Sequence, residues 1–500
     1  MQKSKALRLS TPKVRSGCST CKTRRIKCDE QKPECLRCTR SNRRCGGYSE
    51  SLSKTPAGAI TAYSIPFKVP GSQTDRQLLH FYCAEVAQSI SGFSDPTLWT
   101  QLVLQRCHHQ PVIRSALVSL SSLYQGHLRA SATDQQVSPR SIEAISKCHR
   151  QLQRYLNTPQ ASPEVALICC LIFYVFECLI GDTTQATWHL NQGLALLQRA
   201  RRDYPALVAT PDGIIGHLTA AFSRLDVQAS TFDSARVPVL RLVSPIEPVS
   251  LISVIPDMLM STTHAEESLT ILQNWTMHHI IAYVEYKETA WSELLPDVQV
   301  ERMNLHTQFH KFDDAIEKLA KHIEMFNDPQ HSSTQRQHCL LLQIHGLMFH
   351  SVLLEHAPEL ADVGMESRID RALSCTLAFV SVARTTPSSP IRVFTLSTQL
   401  IAILYYICMK TQNRQTLQTA LSLLQDPSLP TVDGLWNSKT ATSIIHDVLP
   451  EQGVYGEESI METKLEDIGS GIVDAGGLDE ASRILQMMRK NNSESVVSLS

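Results

Sequence analysis

Six cysteines near the start of the chain constrain its fold more than any other feature. They are Cys18, Cys21, Cys28, Cys35, Cys38 and Cys45. The spacing C-x2-C-x6-C occurs twice in succession. A C-x2-C pair places two thiolates on one metal ion, so the repeated pair indicates a zinc centre. A disulfide-stapled module and a generic zinc module are the alternatives.

The number of sulfurs defines the centre further. Structural zinc takes four ligands in a closed tetrahedron, so six sulfurs are too many for one ion and too few for two separate sites. Two ions can share the set only if two sulfurs bridge. The repeat makes Cys18 and Cys35 equivalent, and as the first cysteine of each triple they are the natural bridges. Two zinc ions and six thiolates leave a negative cluster, which the surrounding Lys and Arg residues offset.

This stretch resembles the fungal Zn2Cys6 binuclear-cluster DNA-binding domain. The resemblance lies in the spacing of all six cysteines, in the basic run between Cys21 and Cys28, and in Pro33 before the fourth cysteine. It implies two zinc ions per chain as the cofactor. Two short helices are expected, each starting near a C-x2-C pair. Disulfides suit secreted chains, and the first residues show no apolar secretory segment.

The resemblance also implies which residues face DNA. In this family the end of the first helix contacts the bases of a CGG triplet, which gives that role here to Arg25, with Arg24 beside it. An arginine can reach guanine O6 and N7 with two hydrogen bonds. Lys22 and Lys27 are predicted to contact phosphates. Four arginines of the second half are predicted as further phosphate contacts: Arg37, Arg40, Arg43 and Arg44. For any single basic residue, the alternative role is charge compensation of the cluster.

The charge of the chain is distributed unevenly. Its formal net charge is only −1, yet residues 1–50 carry a net charge of +10 and the remainder −11. A basic module joined to an acidic body is typical of a protein whose basic module binds a polyanion such as a nucleic acid. The net positive charge of residues 1–50 argues against a protein-interaction scaffold, because a zinc module that binds proteins does not need a strongly basic surface.

The sequence predicts a mostly α protein in five parts. Residues 1–17 are predicted as a disordered basic N-terminus, 18–45 as the Zn2Cys6 DNA-binding domain and 46–73 as a flexible linker. Residues 74–450 are predicted as an all-helical regulatory domain, and 451–500 as an acidic segment with a polar tail. The linker lacks an apolar heptad, so any homodimer is expected to form through the helical domain.

Apolar periodicity supports the helical prediction. Stripes of helical spacing include Ile113, Leu117, Leu120 and Tyr124, then Phe312, Ile316, Leu319 and Ile323, and also Leu190, Leu194 and Leu197. The most apolar run, Val165 to Ile180, is shorter than a membrane span needs, contains Glu177 and is predicted as a buried helix. The segment Val237 to Ile255 is predicted as loop, and most of the nine cysteines outside the cluster as small buried hydrophobes.

The body resembles the middle region common to fungal Zn2Cys6 regulators. The resemblance lies in Ser91-Gly92-Phe93, in Pro111 to Leu117, and in the series Glu177, Gly181, Ala186, His189 and Gly193. It implies a regulatory domain without catalysis, and no common enzyme motif is found. Cys107-His108-His109 is predicted as a helix end. Four histidines on one apolar stretch are predicted as core or edge residues: His338, His345, His350 and His356.

These observations predict a sequence-specific transcription factor that is not an enzyme. It is expected in the nucleus, where it would bind double-stranded DNA at CGG-type triplets of RNA polymerase II genes and contact the transcription machinery. No membrane partner is expected. Relatives with this type of body often control catabolic or secondary-metabolite gene sets, which suggests a similar role by analogy. The alternatives are a zinc-stabilised protein-interaction scaffold, a regulator whose helical body senses a metabolite, and an enzyme with a merely structural zinc.

Overall fold

The fold is known from a computed structural model, which describes most of the chain between residues 17 and 449. The described ranges are 17–48, 70–129, 139–203, 213–233, 236–244, 252–326, 329–385, 394–396 and 400–449. They fall into two compact units, divided between residues 61 and 62. We call these the cysteine-rich unit and the helical body. The predicted basic N-terminus up to residue 16, most of the linker and the acidic C-terminal segment lie outside the described residues.

The cysteine-rich unit contains two short helices, α1 (Ser19–Thr23) and α2 (Leu36–Arg40). Each begins directly after the first cysteine of a C-x2-C pair. The sulfur of Cys18 caps α1 by accepting the backbone N–H of Cys21, and the sulfur of Cys35 caps α2 through the N–H of Cys38. A side chain that accepts an unpaired N–H of the first turn stabilises a helix start. The two predicted helices are confirmed.

The described residues of the helical body lie mostly in α-helices. In chain order they are α3 (Gln73–Phe81), α4 (Ala87–Ser91), α5 (Val103–His109), α6 (Pro111–Arg129), α7 (Pro139–Leu156), α8 (Pro163–Ile180), α9 (Thr183–Asp203), α10 (Ile214–Phe232), α11 (Thr262–Ala282), α12 (Pro296–Phe326), α13 (Pro329–Glu355), α14 (Met365–Thr385), α15 (Leu400–Lys410), α16 (Arg414–Leu424) and α17 (Ser438–Val448). Two π-helical turns, Tyr82–Val86 and Leu98–Leu102, flank α4. Short 3-10 turns lie at Val284–Tyr286, Trp291–Glu293 and Pro358–Leu360.

The predicted apolar stripes form the contacts between helices. All four stripe residues of α6 are buried, as are those of α12 and the three leucines of α9. Because residues three and four positions apart share a helix face, each stripe turns one continuous apolar surface towards its neighbours. Of the nine body cysteines, seven are buried and two are half-buried, and all are free thiols. The prediction of small buried hydrophobes is therefore confirmed for most of them.

Helix α8 lies at the centre of the largest apolar cluster of the body. It starts at Pro163, whose fixed φ suits a first helical position, and ends before Gly181, which adopts the left-handed conformation at φ 88°. Among the described helices, α8 alone is long and apolar enough to cross a membrane, but 78% of it is buried inside the body. A helix that is apolar on every side is expected in such a position. The prediction of a buried helix is confirmed.

One glycine sets the distance between two of these helices. A Cβ atom on Gly193 of α9 would lie 2.3 Å from the ring of Phe222 on α10. Only hydrogen fits there, so Gly193 allows the fully buried Phe222 ring to pack directly against the α9 backbone.

A predicted loop segment is held rigidly by two buried polar side chains. Asp226 of α10 accepts hydrogen bonds from Arg236 at 2.7 Å and from the backbone N–H of Leu240 at 2.7 Å. Asn274 of α11 accepts the N–H of Leu242 and donates to the carbonyl of Leu240. Buried polar groups need such partners, and here the partners are the backbone groups of the irregular segment. The loop prediction is confirmed for residues 237–244 and 252–255.

The body also contains a minimal sheet, which was not expected from the sequence. Strand β1 (Phe394–Thr395) pairs in parallel with β2 (Val432–Asp433), which pairs antiparallel with β3 (Trp436–Asn437). The turn between β2 and β3 contains Gly434 at φ 59°. Two-residue strands are too short to show alternation, so only the tertiary contacts reveal them.

The buried carboxyl group of Glu177 on α8 leads to a pH-dependent prediction. Burial, with a smaller contribution from Asp182, raises the pKa of Glu177 to about 7, whereas burial lowers the pKa of nearby His189 to about 4. The neutral imidazole therefore does not offset a Glu177 carboxylate. Because the folded protein holds this proton more tightly than the unfolded chain, stability should fall between pH 4.5 and 7 and change little from this source above pH 7.

Glu177→Gln should remove that loss. The variant should exceed the native protein in free energy of unfolding by up to about 3 kcal/mol at pH 8, and by much less at pH 5. Urea denaturation at both pH values measures the difference. The exposed Glu143→Gln on α7 is the control and should change stability little. A variant that is less stable at pH 8 would instead show an ion pair between Glu177 and a protonated imidazole.

Candidate metal centre and nucleic-acid interface

The structure brings all six predicted cysteine ligands together. Their sulfurs form two groups of four in which every sulfur lies within 4.8 Å of the others. The first group is Cys18, Cys21, Cys28 and Cys35, and the second is Cys18, Cys35, Cys38 and Cys45. Cys18 and Cys35 therefore belong to both groups. This is the arrangement that two four-coordinate ions with two shared thiolates require.

The distances between sulfurs fit tetrahedral zinc. Cys18 and Cys35 lie 3.6 Å apart, Cys18 and Cys38 3.8 Å, and Cys21 and Cys35 3.7 Å. Four sulfurs at the usual zinc–sulfur distance are separated by about 3.8 Å in a tetrahedron. A disulfide needs a sulfur–sulfur distance of about 2.0 Å, so the packing excludes disulfide pairing here. The residues present therefore fit zinc.

Two opposing effects act on the pKa values of the cysteine thiols. Burial raises them, and hydrogen bonds from backbone N–H groups to the sulfurs lower them. Burial raises the pKa of Cys18 to about 12. Burial also acts upward on Cys28, but N–H donors from Cys18 and Glu30 and the hydroxyl of Tyr48 outweigh it and lower the pKa of Cys28 to about 6. Raised thiol pKa values mean that a metal must displace protons to bind, so a positive ion is needed to assemble this many thiolates.

The chain after Cys45 is attached to the start of α1. The N–H of Ser19 donates to the carbonyl of Gly47 at 2.9 Å, and the N–H of Gly46 donates to the hydroxyl of Thr20 at 2.8 Å. These bonds join the two ends of the unit. They place Cys45, the last cysteine in the sequence, beside the first C-x2-C pair.

The predicted DNA-facing residues lie on one exposed segment. Lys22, Arg24, Arg25 and Lys27 are all exposed, between the buried sulfurs of Cys21 and Cys28. A guanidinium N–H of Arg24 donates to the Ser41 hydroxyl at 3.1 Å. Arg24 therefore also links the ends of the two short helices, a structural role that was not expected from the sequence.

Arg25 has an unusual backbone conformation. Its φ is 52°, in the left-handed region, and the N–H of Ile26 closes the end of α1 by donating to the carbonyl of Cys21 at 3.1 Å. The equivalent position of the second half is Asn42, at φ 51°. Asparagine tolerates this conformation, whereas arginine rarely adopts it. A long cationic side chain at a strained position is typical of a functional site.

Asp29 and Tyr48 support the centre, although neither was expected from the sequence to have a role there. The Asp29 carboxylate accepts the N–H of Leu36 at 2.8 Å and of Arg37 at 3.0 Å, the first two unpaired donors of α2. The Tyr48 hydroxyl donates to the carbonyl of Gln31 at 2.7 Å and lies 3.8 Å from the sulfur of Cys28. The position of Asp29, six residues before the second C-x2-C pair, does not by itself indicate this role, because only the fold brings the carboxylate to the start of α2.

Family models match both units of the chain. The fungal Zn(2)-Cys(6) binuclear cluster domain matches residues 16–55. The fungal specific transcription factor domain matches residues 77–405, which is more than half of the chain. No solved structure matches the chain.

Several curated fungal proteins are similar in sequence. The aspercryptin biosynthesis cluster-specific transcription regulator atnN of Emericella nidulans is 26% identical over 45% of this chain and 42% of its own. The transcription regulator lscL of Purpureocillium lilacinum is 26% identical over 36% of this chain and 48% of its own. White-opaque regulator 2 of Candida albicans is 53% identical over 10% of this chain and 11% of its own. The chain thus matches less than half the length of these relatives.

Asp29 provides a test of how α2 is held. Asp29→Ala leaves two N–H groups at the start of α2 without their acceptor, next to the shared sulfur of Cys35. Loss of such supporting bonds should weaken zinc retention about 10-fold, measured as the rate of zinc release to a colorimetric chelator. Glu34→Ala removes the same charge from an exposed neighbouring position and is the control. Equal release from both variants would contradict this role of Asp29.

Proposed function

Because the chain belongs to the family of fungal Zn2Cys6 transcription regulators, we propose that it acts in the nucleus as a sequence-specific regulator of RNA polymerase II genes. The observation that carries the proposal is the cysteine-rich unit itself. Two groups of four sulfurs share Cys18 and Cys35, and an exposed basic segment leads directly from them to the strained Arg25. We propose that the unit binds double-stranded DNA at CGG-type triplets.

Two zinc ions, held by the six cysteines, would make the unit rigid. A unit of this size has too small an apolar core to fold on packing alone, so metal binding contributes folding free energy. The helix α1 begins directly after one proposed metal ligand, Cys18, and contains another, Cys21. With both ends of this turn tied to the cluster, the residues that follow it would keep a fixed direction towards DNA.

The basic residues would make two kinds of contact with DNA, some to bases and others to phosphates. Arg25 projects from the end of α1 and would contact base edges in the major groove, where a guanidinium can make two hydrogen bonds to guanine. Lys22 and Lys27 would contact phosphates, which orient the protein without distinguishing sequences. Arg24, already bonded to Ser41, would hold the basic segment in place and add positive charge.

The helical body would carry regulation. Two of the relatives, atnN and lscL, are named as transcription regulators, and the name of atnN refers to a biosynthetic gene cluster. By analogy, we propose that this chain regulates a fungal metabolic or secondary-metabolite gene set and contacts the transcription machinery. We propose no enzymatic role. A homodimer, if formed, would use the helical body, and metabolite sensing by that body is compatible with this function.

The shared sulfurs can be tested by substitution in the full chain. Cys35→Ala removes a ligand from both proposed ions, so both should be lost together with specific DNA binding. The helical signal of the body in circular dichroism should persist. The control is Cys375→Ala, a half-buried cysteine of α14, whose zinc content by elemental analysis should equal that of the native chain and exceed that of Cys35→Ala by two ions. A Cys35→Ala protein that retains both ions would exclude a shared-thiolate centre.

Base contact can be separated from phosphate contact by two matched variants. Arg25→Asn places there the residue found at the equivalent position 42, so the left-handed backbone is preserved while the guanidinium is lost. It should retain zinc, weaken binding to the preferred site about 10- to 100-fold and reduce discrimination against scrambled DNA. Lys27→Gln should weaken binding to all sequences alike and lower the slope of log affinity against log salt by about 0.9.

Fluorescence anisotropy with matched and scrambled duplexes at several salt concentrations measures both effects. If Arg25→Asn weakens both duplexes equally, Arg25 is a phosphate contact and the assignment of base recognition is wrong. If neither variant affects binding, the basic segment does not face DNA.

A further inference from the structure

Three histidines of the helical body converge on one point between α12 and α13. His306 and His310 lie four residues apart on α12, so their side chains share one face of the helix. His350 lies on α13, which packs against α12. One ring nitrogen from each of the three lies within 4.8 Å of the others. The sequence alone shows His350 as a core or edge residue, and it gives no sign that two further imidazoles meet it.

The rings contact one another through their nitrogens. His306 Nδ1 lies 2.9 Å from His350 Nε2, and His310 Nε2 lies 3.2 Å from His306 Nε2. In each pair one nitrogen must accept the hydrogen bond through its lone pair. The three imidazoles therefore cannot all be in the doubly protonated, charged form. Neutral imidazole is the form that binds metals. The two contacts use different nitrogens of His306, of which an ion can bind only one. One nitrogen from each ring lies within 4.8 Å of the others, and nitrogens bound to one tetrahedral zinc ion are separated by about 3.3 Å, so the rings would turn towards the ion on binding.

A carboxylate lies at the open side of the three histidines. Asp362 Oδ2 is 3.5 Å from His310 Nε2, and Asp362 follows the 3-10 turn Pro358–Leu360. The side chains of His310 and Asp362 are 48% and 64% exposed. An ion could therefore enter from solvent without any opening of the core, and the carboxylate would supply a fourth ligand and a negative charge.

The surroundings fix the buried side of the cluster. The ring of Phe309 stacks on His350 with centroids 5.2 Å apart and an angle of 11° between the planes. The guanidinium of Arg371, which lies beside the cluster, is engaged by Asp313 at 2.7 Å and by Glu317 at 3.5 Å. This positive charge is thus matched by carboxylates, and the orientation of His350 is set by packing.

We propose that His306, His310 and His350, with Asp362, form a binding site for a divalent transition-metal ion of the zinc type. Three imidazoles and a carboxylate suit zinc and its borderline neighbours, whereas calcium and magnesium prefer oxygen ligands alone. The ion would join α12, α13 and the chain after the 3-10 turn. This site is separate in sequence from the cysteines and does not depend on the proposed DNA-binding function.

Zinc stoichiometry of the full chain tests the site. The protein is dialysed against a low concentration of zinc chloride and its metal content is measured by elemental analysis. His310→Gln removes one exposed ligand and should lower the content by one ion per chain, with an unchanged circular dichroism spectrum. His310→Cys replaces the imidazole with another zinc ligand and should restore the ion. His322→Gln, an exposed position on the same helix, should match the native protein.

The same comparison in the Cys35→Ala background separates this proposal from the zinc cluster. Adding His310→Gln to Cys35→Ala should still lower the zinc content by one ion per chain, even though the cysteine-rich unit has already lost its metal. Equal zinc content of the native protein and His310→Gln would overturn the proposal and show that the three rings form only a hydrogen-bonded network.

A second measurement needs no substitution. Diethyl pyrocarbonate acylates accessible neutral imidazoles, and peptide mass spectrometry locates the modified residues. Added zinc should protect His306 and His310 at least several-fold relative to exposed His322, because a coordinated nitrogen is not nucleophilic. Uniform acylation of all three with and without zinc would contradict a site at this position.

Discussion

The sharing of Cys18 and Cys35 between two groups of four sulfurs is the constraint on which the cysteine-rich unit depends. Each of these sulfurs also accepts an N–H of the helix that follows it, so the same atoms start α1 and α2 and hold them together. Among its described residues, 17–48, the unit has few other apolar contacts to stabilise it. Its basic surface is therefore only as well ordered as the sulfur cluster beneath it, and removal of a shared ligand affects both helices at once.

The helical body depends on a different principle. Its helices are held by burial of apolar faces around α8 and, further along the chain, around α12, α13 and α15. Buried polar residues such as Asp226 and Asn274 do not drive this packing, but they determine where the irregular segment before α11 lies. Strong desolvation in the core explains the raised pKa of Glu177 and the lowered pKa of His189.

The two units use polar side chains in contrasting ways. In the cysteine-rich unit the ligands are close in sequence and their spacing alone defines them. In the body, His306, His310, His350 and Asp362 come from two helices and a connecting segment. Such a set depends on how α12 packs against α13, and a shift of one helical turn would separate the imidazoles. A metal ion would therefore bind only when the two helices pack in this arrangement, and its binding would stabilise that arrangement.

The sequence by itself determined the six sulfur ligands, the helical class of the body and the burial of α8, because these follow from local spacing and periodicity. It also located the basic segment that contains Arg25. Only the tertiary structure revealed the left-handed backbone of Arg25, the support from Asp29, the anchoring of residues 236–244 and the two-residue strands. The histidine cluster was also revealed only by the tertiary structure. Each of these features joins residues that are distant in sequence or depends on a single dihedral angle, and neither property leaves a periodic trace in the order of amino acids.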